Sequence, residues 1–238
     1  MLRFDPELEK FKNSTHFTKD DPCVWVVYPG GAAGDLLSGI INYHYVNTGA
    51  FFKGVDANGR AIFQSTDDKL VNFILQDNYD QLIINEKFFL DINRTLSEKN
   101  TNYSRLDQFI FSNHAFRANN ISIILDNFPK CKIIRILPKT LFEKKIIKWL
   151  GEYKNKEVIL PISESADTNI SLDGIVDDRL LNVYFGDLLN SQRFENMYEQ
   201  IVKHLNLNGK LVRFEFIEYW LAQQHEYIIP FLVTLRDQ

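Results

Sequence analysis

Apolar residues along this chain are arranged in two ways. Cys23-Val24-Trp25-Val26-Val27-Tyr28 and Lys132-Ile133-Ile134-Arg135-Ile136-Leu137 are nearly unbroken apolar runs. Such a run suits a central strand covered on both faces, since neither side of it meets water. Phe109-Ile110-Phe111, Leu181-Asn182-Val183-Tyr184-Phe185 and Leu82-Ile83-Ile84 read as further strands. Elsewhere apolar residues recur at every third or fourth position, which predicts amphipathic helices. One carries Leu36, Leu37, Ile40, Ile41 and His44 on one face. Others run from Phe88 to Leu96, through Ile121, Ile124 and Leu125, from Thr140 to Tyr153, from about Leu188 to Leu205, and from Phe214 to Tyr227. Asp67 and Asp68 introduce another predicted helix, carrying Leu70, Phe73 and Ile74. Glycines between Gly49 and Gln64 predict a loop or small hairpin. The stretch from Asn155 to Asp178 reads mostly as loop, with a short strand at Val158-Ile159-Leu160.

Strands alternating with helices predict an α/β fold, a three-layer sandwich with a mainly parallel sheet. No repeat or linker divides the chain, so residues 1–238 read as a single domain with 1–22 as an N-terminal extension. Ligands of such folds bind at the carboxyl ends of the strands. That makes the loops Pro29 to Asp35, Ser112 to Phe116 and Pro138 to Thr140 the places to look for chemistry.

Charge and composition narrow the function classes. With 27 basic and 31 acidic side chains, the net charge is −4. A nucleic-acid binder working by bulk electrostatics shows a basic excess, so that class is not expected. Cys23 and Cys131 are too few for a disulfide framework and lack zinc spacing, so they read as small buried hydrophobes. His16, His204 and His225 share no metal-site spacing either, and no metal is expected. No apolar stretch approaches the roughly 18–20 residues of a membrane span. The polar, charged stretch Met1 to Asp21 does not read as a secretory signal. A soluble protein of a reducing compartment, the cytoplasm, is the expectation.

The first predicted strand runs into Pro29-Gly30-Gly31-Ala32-Ala33-Gly34-Asp35 and then directly into a helix. Small residues there let backbone N–H groups converge, and a helix N-terminus adds partial positive charge, which together hold phosphate. The same composition also makes a merely tight turn, and the sequence leaves both readings open. A Walker loop needs a lysine and a hydroxyl after its last glycine. Here Asp35 and Leu36 follow Gly34, so ATP or GTP hydrolysis is not expected. Asp35 is favourable to its own helix. It reads either as a cap occupying the anion site or as a contact to a ligand hydroxyl or a metal.

Four segments, in order, resemble the sulfotransferase family, which has a P-loop-type fold and uses 3′-phosphoadenosine 5′-phosphosulfate. Val26-Val27-Tyr28-Pro29 and its glycine loop resemble the family's Tyr-Pro-Lys-Ser-Gly-Thr-Thr loop for the 5′-phosphosulfate. Ser112-Asn113-His114-Ala115-Phe116 resembles the Lys-Thr-His-Leu-Pro segment with the catalytic base. Lys132 to Lys139 resembles the strand and Arg-Asn-Pro-Arg/Lys-Asp turn of the 3′-phosphate site. Tyr184-Phe185-Gly186-Asp187-Leu188-Leu189, with the helix ending His204-Leu205-Asn206-Leu207, resembles the Tyr-Glu-Asp-Leu strand and the helix after it. The resemblance covers about Cys23 to Leu207 and implies a sulfotransferase-like architecture. The family's phosphosulfate lysine falls on Gly30, its hydroxyls on Ala33 and Gly34, its 3′-phosphate arginine on Ile136 and its serine on Lys144.

The resemblance therefore implies a donor site of Gly30, Gly31, Ala32, Ala33, Gly34, Asp35, Lys139 and Lys144, with His114 as the base. Imidazole suits that task, since its unperturbed pKa of about 6.5 lies near working pH. The polar-loop reading of His114, which caps or binds backbone, stands beside it, as does a solvated surface role for Lys139. Arg135 lies inside an apolar run, either at a sheet edge or paired with a carboxylate such as Asp187. Three functions stay open. The first is a divergent sulfotransferase acting on a hydroxyl of a carbohydrate or small molecule. The second is a catalytically inactive binder of the same fold. The third, resting on a faint likeness of Gly30 to Leu37 to a fucosyl-transferase loop, is a glycosyl transferase.

Overall fold

Strand β1 (Cys23–Val27) has every side chain 0% exposed, as its unbroken apolar run predicts. The computed structural model describes residues 17–29, 32–34, 37–38, 40–41, 51–55, 61–64, 72–74, 82–98, 109–113, 118–154 and 174–207. After β1 come a two-stranded antiparallel hairpin, β2 (Phe51–Val55) and β3 (Ala61–Gln64), and then β4 (Asn72–Ile74). Helix α1 (Glu86–Glu98) leads to β5 (Phe109–Asn113), α2 (Ala118–Asn127) to β6 (Cys131–Leu137), and α3 (Leu141–Lys154) follows β6. Strand β7 (Leu180–Tyr184), a short α4 (Phe185–Leu188) and α5 (Ser191–Leu205) complete the described chain.

The main sheet has five strands in the order β4-β5-β1-β6-β7, and every pairing in it is parallel. The α/β architecture read from the sequence is therefore the observed one. Alternation along β1 sends Val24 and Val26 into one core and Cys23, Trp25 and Val27 into the other. The first core gathers Leu37, Ile40 and Ile41 from the helix after β1, Ile146 and Ile147 from α3, and Phe194, Tyr198 and Ile201 from α5. The second gathers Ile92 of α1, Ile121 and Ile124 of α2, and a set of aromatic rings. Trp25 stacks on Phe111 at 4.7 Å between centroids. Phe17, ahead of β1 in the chain, is 1% exposed and lies 4.4 Å from the Phe109 ring. Its backbone N–H donates to Asn93 Oδ1 (2.8 Å), and Asn93 Nδ2 donates back to its carbonyl (3.1 Å). One side chain thus pairs both backbone groups of Phe17, as a neighbouring strand would.

Three sequence expectations are corrected. The segment expected to be a helix through Phe73 and Ile74 is instead strand β4, paired with Ile110, Phe111 and Ser112 of β5. A short apolar run does not distinguish the two by periodicity, and the hydrogen bonds that decide it come from a distant segment. Leu82-Ile83-Ile84 forms no strand: the Leu82 N–H donates to the buried Asn120 Oδ1 (2.9 Å) rather than to a ladder. The single helix expected from Leu188 is divided, because Asn190 is extended and its side chain accepts the Arg193 N–H (3.0 Å), starting α5 afresh. Val158-Ile159-Leu160 and the helix expected over Phe214 to Tyr227 lie outside the described residues.

The amino-end side of the sheet is tied by Arg179. Its Nη1 donates to the Leu125 and Phe128 carbonyls (3.0 and 3.3 Å) at the end of α2. Its Nε and Nη2 hold the Asp177 carboxylate at 2.9 and 2.8 Å. Its own carbonyl accepts the Ile133 N–H (2.7 Å) and His204 Nε2–H (3.2 Å). Cys23 and Cys131 sit opposite each other in register, both buried and free. Burial raises both thiols, Cys131 to about 11, so they pack as apolar groups at neutral pH.

The Asp177 carboxyl is held down at about 2, against an ordinary 3.8, chiefly by the Arg179 guanidinium. A carboxyl lowered on folding stabilises above its unfolded value, and the gain is lost as pH falls through the folded one. Asp177→Asn is therefore expected to lower stability at neutral pH, by on the order of 1 kcal/mol for a part-exposed pair. The gap to wild type should close between about pH 4 and about pH 2 in urea titrations. A gap independent of pH would refute the charge-based account.

Candidate functional site

Ranked by chain order, the strands of the main sheet run 2-3-1-4-5. The chain leaves β1 for β4 on one side and leaves β6 for β7 on the other, although β1 and β6 are neighbours. Connections that diverge from adjacent parallel strands leave a crevice at their carboxyl ends, where open α/β sheets bind ligands. By that rule the strand order places the candidate crevice between the loop after Val27 and the turn after Leu137. Asn113, the last residue of β5, is paired with Val27 on the other flank.

The β1 loop is shaped by packing. Tyr28 is 3% exposed, and Pro29 accepts the Ala32 N–H at its carbonyl (3.0 Å), closing a tight turn. Ala32 is 0% exposed and belongs to the core, so its amide is turned inward to the Pro29 carbonyl. Ala33 has φ +59°, the left-handed region that a residue with a Cβ enters only at a cost. Its carbonyl accepts the Leu37 N–H (3.1 Å), the first bond of the helix that starts at Gly34. The buried Ser38 Oγ donates to the Gly34 carbonyl (2.9 Å). A Cβ on Gly34 would run into the Tyr28 ring. Gly34 is therefore a glycine because an aromatic ring lies on its Cα, a steric requirement independent of any ligand.

The β6 turn is built differently. Pro138 is buried and ends the strand; Lys139 and Thr140 are exposed. Thr140 caps α3: its Oγ1 accepts the Glu143 N–H (3.1 Å) and its carbonyl the Lys144 N–H (3.1 Å). The Glu143 carboxylate reaches back and accepts the Lys139 N–H (2.6 Å). This is a capping box, Thr-x-x-Glu, with the carboxylate bonded one residue ahead of the cap. Gly186 leaves room for it, since a Cβ there would strike the Glu143 carboxylate. The Lys139 ammonium lies over the Tyr184 ring, 5.4 Å from its centroid, a cation–π contact. Lys144 is half-buried in the first turn of α3.

Of the residues singled out by sequence, Ala32, Ala33 and Gly34 lie at the mouth of β1, and Lys139 and Lys144 at the mouth of β6. Gly30, Gly31, Asp35 and His114 lie outside the described residues. Arg135 is not at a sheet edge: β6 sits between β1 and β7, and Arg135 is 1% exposed. Asp187 lies 4.0 Å from Arg193 Nη1. Sequence reading missed Glu143 and Gly186, although Thr140 and Glu143 carry the capping-box spacing that would have found the first. Among the described residues no group of three or more His, Cys, Asp or Glu side chains is placed to hold a metal, and no helix is long and apolar enough to cross a membrane.

No family model and no curated protein matches the chain. Among solved structures it is similar to one described as "Sulfotransferase Domain from the Curacin Biosynthetic Pathway", at 9% identity over 80% of this chain and 76% of that one, with a TM-score of 0.33.

Two substitutions check the loop geometry. Gly34→Ala is expected to cost about 1–3 kcal/mol by overpacking against the Tyr28 ring, read by denaturant unfolding. Combining it with Tyr28→Leu should recover part of that loss, and purely additive effects would argue against the contact. Ala33→Gly should stabilise by up to about 1 kcal/mol, because left-handed backbone costs alanine more than glycine. A loss of stability there would contradict the left-handed assignment.

Proposed function

We propose that the chain is a sulfotransferase-like protein that binds a sulfate-activated adenine nucleotide in the crevice between β1 and β6. The transferred sulfuryl group goes to a hydroxyl of a small molecule or carbohydrate. The observation that carries this reading is the divergence of the chain at β1 and β6, with a helix starting from the buried central strand at that point. A helix N-terminus directed at a switch-point crevice favours an anionic end group.

In this reading the β1 loop, Gly30, Gly31, Ala32, Ala33, Gly34 and Asp35, receives the 5′-phosphosulfate through its remaining amides. The donor implied by the sequence resemblance is 3′-phosphoadenosine 5′-phosphosulfate, with Lys139 and Lys144 on its far side. His114, which follows Asn113 in the sequence, takes the proton of the acceptor hydroxyl as the S–O bond to it forms and the bond to the nucleotide phosphate breaks. The reaction is one of positioning and charge stabilisation. The buried free thiols suit a reducing compartment such as the cytoplasm.

A second reading, a non-catalytic binder of the same fold, is favoured by Gly30 in the place of a phosphate-binding lysine and by the Glu143 carboxylate at the β6 turn. One experiment separates the two. Adenosine 5′-phosphosulfate and its 3′-phosphorylated form are each tested for thermal stabilisation and for sulfuryl transfer to a panel of hydroxyl acceptors. A ligand at a hundred times its Kd adds about 2.7 kcal/mol to stability. Stabilisation with transfer is expected, and His114→Ala should slow transfer by about 10²–10⁴ while leaving nucleotide affinity unchanged. Stabilisation without transfer removes the sulfuryl-transfer step, and neither effect with either nucleotide overturns the first reading and selects a binder of a partner or a different nucleotide.

A further inference from the structure

Cys23 opens β1 and Cys131 opens β6, and the two are register partners on neighbouring parallel strands. Both side chains enter the second core, so they leave the sheet on the same face. Burial raises the Cys23 thiol, and the neighbouring Cys131 sulfur raises it further. The pair lies at the amino edge of the sheet, with the exposed Pro22 and Lys130 immediately before the two cysteines. The fully buried Trp25 indole stands beside it. Its Nε1–H has no hydrogen-bond partner among the described residues, and it acts on the Cys23 sulfur, whose ionised form it favours. A neutral thiol is a weak acceptor, so that buried donor is best met by a thiolate.

Spacing selects what can join the two sulfurs. Neighbouring strands lie about 4.8 Å apart, and side chains at register partners leave at about that separation. A disulfide needs Cβ atoms about 3.8 Å apart and sulfurs about 2.05 Å apart, so it would pinch two strands that are each hydrogen-bonded on both edges. Two metal–thiolate bonds of about 2.3 Å span about 3.8 Å at a tetrahedral angle and about 4.6 Å in line, which the strand spacing accommodates. Thiolates suit Cu(I), zinc and iron–sulfur clusters. Zinc and the clusters want four ligands, and among the described residues no group of three or more His, Cys, Asp or Glu is placed to supply them. Cuprous ion is content with two sulfurs.

We infer that Cys23 and Cys131 form a two-coordinate site for a soft monovalent cation, of which Cu(I) is the type, fastening the start of β1 to the start of β6. Two thiol protons leave as the two S–Cu bonds form, no oxidation state changes, and the bound unit carries one negative charge. Burial holds both protons in place at neutral pH, with Cys131 raised to about 11, so the cation must displace them. Arg179 and Lys132 favour the charge of the bound unit. Asp177, whose carboxylate Arg179 holds, and Asp21, whose carboxylate accepts the Thr18 N–H and hydroxyl, oppose it. The site is independent of the crevice and of nucleotide binding.

The test is anaerobic titration of the full chain, with ascorbate as reductant, against Cu(I) held by bicinchoninate, whose colour fades as copper leaves it. Wild type is expected to withdraw one Cu(I) per chain, and X-ray absorption to show two sulfur ligands on it. Cys23→Ala and Cys131→Ala should each abolish the withdrawal. Trp25→Phe, which keeps an aromatic ring in the core, should weaken it by about 10–100-fold. A wild type that leaves the copper with the chelator, a copper with three or more ligands, or withdrawal that survives in either cysteine variant overturns the site. Affinity unchanged in Trp25→Phe overturns the part given to the indole. Circular dichroism checks that the variants fold, and if one does not, the X-ray absorption of wild type decides alone.

Discussion

The ring of Tyr28 lies on the backbone of Gly34, and this contact ties the central strand to the helix that leaves it. β1 is sealed on both faces and paired on both edges, so it has no freedom to adjust. The chain must therefore turn within a few residues and set the helix down against the same core. Tyr28, Ala32, Leu37, Ile40 and Ile41 all enter that core, which draws the loop inward. The left-handed Ala33 is the local cost of that turn, and the Ser38 hydroxyl on the Gly34 carbonyl steadies the first turn of the helix. Packing thus places a helix N-terminus just beyond the carboxyl end of β1.

The two ends of the sheet have different chemistry. At the amino end Arg179 joins α2, β6, β7 and α5 through its guanidinium and its carbonyl. His204 there is held below its ordinary pKa by burial, consistent with a neutral ring donating to a carbonyl. That end is structural. At the carboxyl end Lys139 and Thr140 are exposed around a short, capped turn, and polar side chains replace the apolar ones of β6. Separating a fastened end from an open one is how a parallel sheet holds a site rigid while leaving it accessible.

The sheet's centre was legible because burial on both faces forces continuous apolar runs, as in β1 and β6. Its edge was not. β4 is three residues long, and Phe73 and Ile74 take their strand conformation from β5. Asn120 was invisible for the same reason: its hydrogen bond to the Leu82 amide joins segments 38 residues apart. At the crevice, the glycine loop was found from its composition, but the reason for Gly34 was not, since nothing local says that Tyr28 folds back over it. Glu143 was legible as a cap and overlooked as a charge, because its place at the mouth of β6 follows from strand order. Gly186 gained meaning only once Glu143 was seen to need its space.

The balance of charges around the crevice decides what kind of recognition it supports. A phosphate held by lysine and arginine side chains gains about 1.5–3 kcal/mol from each charge-assisted bond. Here Gly30 and Ile136 occupy the places where the resemblance would put such side chains, and the Lys139 ammonium rests on a tyrosine ring. The Glu143 carboxylate is itself held on the Lys139 N–H and against Gly186, on the β7 side of the turn. In the proposed reading, what would attract an anion is the partial charge of a helix end, about half an elementary unit and effective only within its first turn. Such a source is short-ranged and directional: it rewards one anion placed on its axis and gives nothing to a second one off it.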